Sequence, residues 1–439
     1  MKKKPGRRIS PGTVFMILLT AAVIAGCMLF LTRLVGGGIY EKTGEVIRRL
    51  SEQGIFERIP ENLVPAQAQK ANALLWDEEE TPVPAISRPT ATPVPSKRRI
   101  TLAVGGTVYA PRVVRESGRS GRNYDFTSVF EGISGVMADA DLAIATLETT
   151  TAGADMGWGN YNAPPEILDA LRSAGLDLFS LATERALDMG YEGLDLTVSE
   201  LTRRGLAYAG VNPDGSAASA SMMRVGGIQV AVLAYTYGLS DEGAAKTQND
   251  RRNVVSLLDK ARMIRDITQA RVSGANLIIV LPHWGTKNKQ ETPENLRVLA
   301  QELAQAGADI IIGTHPNVAQ GTDRLRVTRS DGIEYDAVVC YSVGSLLTDA
   351  RTPENTAGMI AQIDVTYDPL SRRTTLEELV TVPLYIARQR EEGDAAYRVV
   401  DAHDEDALSA LTESERREAE EAARRIQNMT LQEPLGGYG

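Results

Sequence analysis

Leu277-Ile-Ile-Val-Leu-Pro-His283-Trp-Gly285 and Ala308-Asp-Ile-Ile-Ile-Gly-Thr-His315-Pro-Asn317 are two short β-branched runs, each leading into one of the chain's 3 histidines. Continuous apolar runs of this length, closed by proline or glycine, read as parallel strands buried on both faces. In an open α/β sheet the ligand sits beyond the carboxyl ends of such strands. His283 and His315 therefore stand where neighbouring strands deliver side chains to a site.

The same texture extends to both sides. Apolar runs at 100–104, 142–147, 176–181, 230–235 and 337–342 predict further strands, and amphipathic stretches at 164–174, 191–204, 256–272 and 293–306 predict helices between them. Gly175, Gly205, Gly274 and Gly307 follow those helices, where a left-handed cap belongs. Residues 98–390 thus read as one α/β domain, a layered sheet with flanking helices. The runs 359–367 and 376–386 alternate apolar and polar residues like antiparallel strands that complete a two-layered sheet. A charged extension over 391–439 carries a helix at 414–429 with few apolar positions, expected as a solvated or partner-seeking tail.

At 439 residues the chain exceeds one ordinary domain, and its 43% hydrophobic and 24% charged residues are a globular composition. Its start is basic, with Lys2, Lys3, Lys4, Arg7 and Arg8, and precedes an uncharged apolar run over 14–31 just long enough to span a bilayer. We read a cytoplasmic tail over 1–12, a transmembrane anchor over 13–35 and an exterior remainder. Ile24-Ala-Gly-Cys27 offers a rival reading, a lipoprotein-type box that would acylate Cys27, although the apolar run continues to Leu31. Either way the chain is tethered to the cell membrane with its bulk outside. A juxtamembrane segment over 36–76 and a Pro-rich linker over 77–97 would hold the domain off the surface. The 2 cysteines, Cys27 and Cys340, leave the exported domain without a disulfide framework. A net charge of −10 argues against nucleic acid as a partner. An anionic polymer would need a local basic groove or a metal ion.

The residues that follow the predicted strands are Gly105-Gly106, Glu148, Thr183-Glu184-Arg185, His283-Trp284-Gly285, Thr314-His315-Pro316-Asn317 and Gly344-Ser345. In order and spacing these blocks resemble the capsule-synthesis CapA family, over roughly residues 98–347. That family's domain is similar to a calcineurin-like metallophosphoesterase and is associated with production and export of poly-γ-glutamate. Its Gly-Asp block with a following Arg corresponds to Gly105-Gly106 and Arg112, and its Asn-Leu-Glu to Thr146-Leu147-Glu148. Its Ala-Asn-Asn-His block with Asp-x-Gly corresponds to Ala182-Thr183-Glu184-Arg185 and Asp188-Met189-Gly190. His-Trp-Gly stands intact, Gly-His-His-Pro-His has become Gly313-Thr314-His315-Pro316-Asn317, and Tyr-Ser-Leu-Gly-Asn-Phe has become Tyr341-Ser342-Val343-Gly344-Ser345-Leu346.

The resemblance implies a metallophosphoesterase-type fold whose site has lost ligands. Two-metal sites clamp phosphate between ions held by Asp, Asn and His. Here Gly106 replaces the aspartate, Thr183 and Arg185 replace ligands of the Asn-Asn-His block, and Asn317 replaces a histidine. Glu148, His283 and His315 remain as candidate ligands for one divalent metal, Mn, Zn or Fe, with open positions. Arg185 repels that cation unless Glu184 neutralises it. The candidate cleft comprises Glu148, Glu184, Arg185, Asp188, His283, Trp284, His315, Asn317 and Ser345. Arg112 is the anion-binding candidate, within a run that also holds Arg115, Arg119 and Arg122 and otherwise reads as a solvated face. The histidines have a plain alternative as packing groups around Trp284, and Glu148 as a loop cap. The implied function is a membrane-anchored component of capsule or poly-γ-glutamate synthesis that engages the anionic polymer or its export machinery. The alternatives are a divergent metal-dependent hydrolase or transferase using Glu148, His283 and His315, and a non-catalytic envelope adaptor.

Overall fold

The computed structural model describes residues 96–215, 220–247, 253–391 and 394–429. The tail, anchor or lipoprotein box, juxtamembrane segment and nearly all of the linker lie outside the described residues. In chain order the main elements are β1 (Arg98–Val108), α1 (Arg112–Ser117), β2 (Leu142–Leu147), α2 (Glu166–Ser173), β3 (Leu178–Ser180), α3 (Gly190–Arg203), β4 (Ala207–Ala209), β5 (Ser221–Val225) and β6 (Ile228–Thr236). There follow α4 (Lys260–Val272), β7 (Leu277–His283), α5 (Glu294–Ala306), β8 (Ile310–Ile312), β9 (Thr322–Thr328) and β10 (Glu334–Cys340). The last elements are β11 (Ser345–Leu347), β12 (Ala357–Asp368), β13 (Arg373–Glu391), β14 (Asp394–Asp401) and α6 (Glu413–Met429). Among the described residues no helix is long and apolar enough to cross a membrane.

The strands make an 8-stranded sheet in the order β14-β13-β12-β1-β2-β3-β4, with β11 beside the end of β1, and a 6-stranded sheet in the order β9-β10-β8-β7-β6-β5. The strands β1 to β4 run parallel, as do β6, β7, β8 and β10, while β12 to β14, β5 and β9 are antiparallel additions. Because successive strand residues face opposite sides, each parallel strand feeds two cores. Ile100, Leu102 and Val104 of β1 meet Val232 of β6, Ile279 of β7 and Ile312 of β8 between the sheets. The intervening Ala103, with Ala143 and Ala145 of β2, packs under Val114, Ile167 and Leu171 of the helices. On the far side Ile278, Val280 and Ile311 pack under Met263, Ile267 and Leu303. The layers run helices, sheet, sheet, helices, the mixed layered α/β arrangement expected from the runs.

Differences from the expected elements have local causes. Helix α4 begins at 260 rather than 256 because Ser256 is tied to strand ends, its N–H donating to Gly210 and its carbonyl accepting from Thr236, both at 2.9 Å. The Asp259 carboxylate then caps the helix by accepting from the Arg262 N–H at 2.7 Å. The boundary drawn at 390 falls inside a hairpin, since β13 continues to Glu391 and pairs with β14. The C-terminal helix is not a solvated tail. Ala419, Ala422 and Ala423 are buried against Tyr385, Ala387 and Val400, and Ile426 reaches the core between the sheets. Thr412 and Glu415 close a capping box, with the Glu415 carboxylate accepting from the Thr412 N–H at 2.9 Å. An apolar face built of alanines carries little hydropathy, so the sequence reads as charged all round.

Replacing Ile426 by alanine should therefore lower the unfolding free energy by about 2–4 kcal/mol, whereas Arg424→Ala on the exposed face should leave it within about 0.5 kcal/mol. Urea unfolding of both variants checks this; equal, small effects would mean that the helix does not dock.

Candidate functional site

Both sheets bring their carboxyl ends to one place. Strand β7 ends at His283, and the turn after β8 is joined to it by a parallel bridge between His283 and Thr314. Gly313 makes that turn possible: a Cβ there would lie 2.0 Å from the Tyr341 carbonyl oxygen and 2.3 Å from the Trp284 indole nitrogen. In the space left, the Trp284 indole donates to the Tyr341 carbonyl at 2.9 Å. His315 follows with φ 98, a left-handed backbone that a non-glycine residue adopts only under local compulsion. From the other sheet the loop after β3 presents Glu184.

The three side chains meet almost without solvent. The Glu184 Oε2 atom lies 3.1 Å from His283 Nε2 and 2.6 Å from His315 Nδ1, and the two ring nitrogens are 3.2 Å apart. The other nitrogen of His283, Nδ1, is 3.0 Å from the Thr314 hydroxyl, which fixes the ring. Lys287 Nζ stands 2.6 Å from Glu184 Oε1. Arg185 lies with its Nε 3.7 Å from the same oxygen, its guanidinium 4.1 Å above the Tyr161 ring and an ion pair at 3.4 Å to Asp188. The Tyr237 ring packs 4.5 Å from that of His315.

Electrostatics sort these groups. Burial alone would raise the Glu184 carboxyl, but hydrogen bonds from His283, His315 and Lys287 outweigh it and hold the group well below the usual carboxylate range. His283 is pushed down to about 4, first by burial and then by the neighbouring imidazole, against the pull of Glu184. Near pH 7 it is a neutral imidazole, the form that ligates metals. Glu148 is pushed up to about 7, first by burial and then by the charge of Glu184. Its Oε2 is buried and has no hydrogen-bond partner.

The donor set fits one divalent ion. The carboxylate oxygen and two imidazole nitrogens of Glu184, His283 and His315 lie within 4.8 Å of one another, and three polar atoms crowd one point with too few protons to bridge every pair. Around a tetrahedral zinc with bonds of roughly 2.0–2.1 Å, ligand atoms stand about 3.3 Å apart, close to the spacings found here. The Thr314 contact to His283 is the kind of supporting bond that orients metal-bound imidazoles. Position 106 offers no complement: a Cβ there would lie 2.2 Å from the Gly344 carbonyl oxygen.

The expected ligand trio of Glu148, His283 and His315 thus differs by one member, with Glu184 in the cluster and Glu148 outside it. Arg185 and Asp188 lie beside the cluster, Arg185 next to Glu184 and Asp188 paired with Arg185 and accepting from the Ser240 hydroxyl. Trp284 is buried in the core between the second sheet and its helices. Asn317 contributes a backbone carbonyl, accepting from Asn355 at 3.1 Å and from the Ser345 hydroxyl at 3.5 Å. Arg112 is exposed at the start of α1; buried Arg115 instead stacks 4.9 Å above Trp158. Lys287 and Tyr237 were not anticipated. Tyr237 follows strand β6 directly, so a count of strand-end residues that included this strand would have found it.

Fold and site together define an α/β double-sheet protein with a glutamate and two histidines gathered at its strand ends. The family model "Bacterial capsule synthesis protein PGA_cap" matches residues 101–350. This is more than half of the chain, which belongs to that family. It is 25% identical to "Capsule biosynthesis protein CapA" of Bacillus anthracis over 265 residues, 57% of this chain and 60% of the relative. It is 28% identical to "PGA biosynthesis protein CapA" of Bacillus subtilis (strain 168) over 186 residues, 42% and 46% of the two chains. "Probable polyglutamine synthesis accessory protein Rv0574c" of Mycobacterium tuberculosis is 30% identical over 187 residues, 39% and 49% of the two chains. The chain spans about half the length of the curated relatives it matches. A solved phosphatase from Mycoplasma pneumoniae aligns at TM-score 0.39 and 13% identity, covering 72% of this chain and 98% of its own. Calcineurin-like phosphoesterase YfkN from Bacillus subtilis aligns at TM-score 0.39 and 10% identity, covering 76% and 99%. The layered architecture rests on the strand pairing of this chain, not on these distant likenesses.

Glu148 makes a pH prediction. Its folded carboxyl titrates above the unfolded value, so the folded state keeps a proton that the unfolded chain has lost, and stability falls as pH rises from about 4.5 towards 7. With chelator present, Glu148→Gln should gain stability over wild type by an amount that grows between pH 5 and pH 8 to on the order of 1–3 kcal/mol. A pH-independent difference in denaturant unfolding would refute the buried-acid assignment.

Proposed function

We propose that this chain acts in capsule or poly-γ-glutamate synthesis and export at the bacterial cell envelope, tethered by the apolar segment over 14–31. Its working part in this reading is the strand-end cleft of a metallophosphoesterase-type double sheet, which holds the anionic polymer or a component of its export machinery through a bound divalent cation. The observation that carries the reading is that the family match over 101–350 encloses the whole Glu184, His283 and His315 cluster. Glu184 and the two imidazoles would hold the ion, Thr314 would fix His283, and Lys287 and Arg185 would balance the carboxylate. Open ion positions suit carboxylate oxygens of a polymer, which an acidic chain would otherwise repel.

A second reading, turnover rather than holding, draws on Glu148. A carboxyl titrating at about 7 has the proton affinity of a general acid or base. A bound divalent ion supplies Lewis acidity and an activated water. Glu148 would then take up or return the proton of the reacting group, and the burial of the cluster would keep bulk water out. The reaction class would be hydrolysis or transfer.

Elemental analysis after incubation with manganese, zinc or iron(II) tests the cation. The full-length chain should retain about one ion per molecule, and a His283→Ala, His315→Ala double variant should retain none. Metal absent from both proteins would remove the cation-mediated reading in either form. The envelope role is tested apart from it: surface polyglutamate unchanged after deletion of the gene would refute that role, and loss restored by wild type but not by Glu184→Ala would support both.

A further inference from the structure

We propose a second anion-binding site at the opposite ends of the same strands. Asn276 immediately precedes β7 and Asp309 immediately precedes β8, so both mark the amino ends of strands whose carboxyl ends lead to His283 and His315. Seven residues of extended chain from Asn276 to His283 separate the two ends by roughly 23 Å. At the amino end a cavity of about 310 Å³ is lined by Arg271, Arg324, Arg326, Arg329, Arg372 and Arg373. The last turn of α4 supplies the first, the β9–β10 hairpin the next three and the β12–β13 turn the last two.

The acidic groups in the same wall are Asp309, Glu334 and Asp336, and Arg329 is paired with Asp331 at 2.6 Å, so six guanidinium groups stand against four carboxylates. Arg271 pairs with Asp309 at 2.8 Å, yet its Nε is buried without a hydrogen-bond partner. Asp336 is divided between Arg324 and Arg326. Arg372 and Arg373 are exposed and make no ion pair among the described residues. In a chain of net charge −10 this local excess is not the average surface. Forked guanidinium groups gathered from three elements around one hollow suit clustered oxyanions, phosphate or carboxylate, which accept two parallel hydrogen bonds per group. The volume lies at the lower end for ligand sites, which fits a diphosphate or a few linked carboxylates. This site does not depend on the cleft reading, because it shares no residue with the cleft.

Calorimetric titration of the full-length chain with pyrophosphate, and separately with a γ-linked tetraglutamate, tests it at about 50 mM and about 300 mM salt. We expect saturable binding of at least one probe, weakened by salt and weakened about tenfold or more by Arg372→Ala with Arg373→Ala. Both residues are exposed, so thermal unfolding should not change; Arg326→Gln gives an independent loss. Binding of pyrophosphate alone identifies a phosphate ligand, and of tetraglutamate alone a carboxylate chain. Affinity should persist in the His283→Ala, His315→Ala variant. No saturable binding of either probe, or binding lost in the histidine variant and kept in the arginine variant, overturns the proposal.

Discussion

Glu184 is an ionised carboxylate taken almost completely out of water, and the cleft is organised by the need to compensate it. Desolvating such a group costs several kcal/mol unless charged or hydrogen-bonding partners replace the lost water. Here they come from separate stretches of chain: His283 from the end of β7, His315 from the turn after β8, Lys287 from the loop between β7 and α5, and Arg185 from its own loop. No local segment supplies more than part of this set. The charge can therefore be held only when the two sheets are packed in their proper relation, which makes the site a product of the core rather than an ornament on it.

The core secures that relation through the alternation of its strands. Inward residues such as Leu102, Val232 and Ile279 fill the layer between the sheets, while the alanines on the outer face of β1 and β2 let helices lie close. Where β1 passes position 106 its register shifts, and the Gly344 carbonyl fills the place a side chain would take. A two-metal arrangement would lack a ligand at 106 and also the room to restore one by a single substitution. The likeness to a two-metal site is thus limited by backbone packing as well as by composition.

Much of this was legible in the sequence, and what was not has physical reasons. The runs before His283 and His315 declare strands because their β-branched residues need burial on both faces. Gly175, Gly205, Gly274 and Gly307 all adopt the positive φ that their positions after helices require. The cleft was recognisable from strand-end residues, but its centre was not: Glu148 and Glu184 both follow strands, and only the meeting of the two sheets decides which carboxylate faces the histidines. Lys287 was hidden because a lysine in a polar loop carries no mark of pairing. The docking of α6 was hidden because alanine is too small to signal an apolar face, although four buried positions suffice to seat it.

The two ends of the parallel strands differ in which charge they can still accept. At the carboxyl end the flanking cations are committed: Lys287 to Glu184, and Arg185 to Glu184 and Asp188. What remains there is a trio of donor atoms on Glu184, His283 and His315 whose spacing suits a cation. At the amino end Arg271 and Arg329 have acids of their own, Asp336 serves two arginines, and Arg372 and Arg373 have no acid among the described residues, the excess on which the proposed anion site rests. On the two proposals together, an anionic chain approaching this acidic protein would meet attraction directly at one end and through a bound ion at the other. A strand carries no charge along its buried length, and that spacing keeps the opposite demands from cancelling.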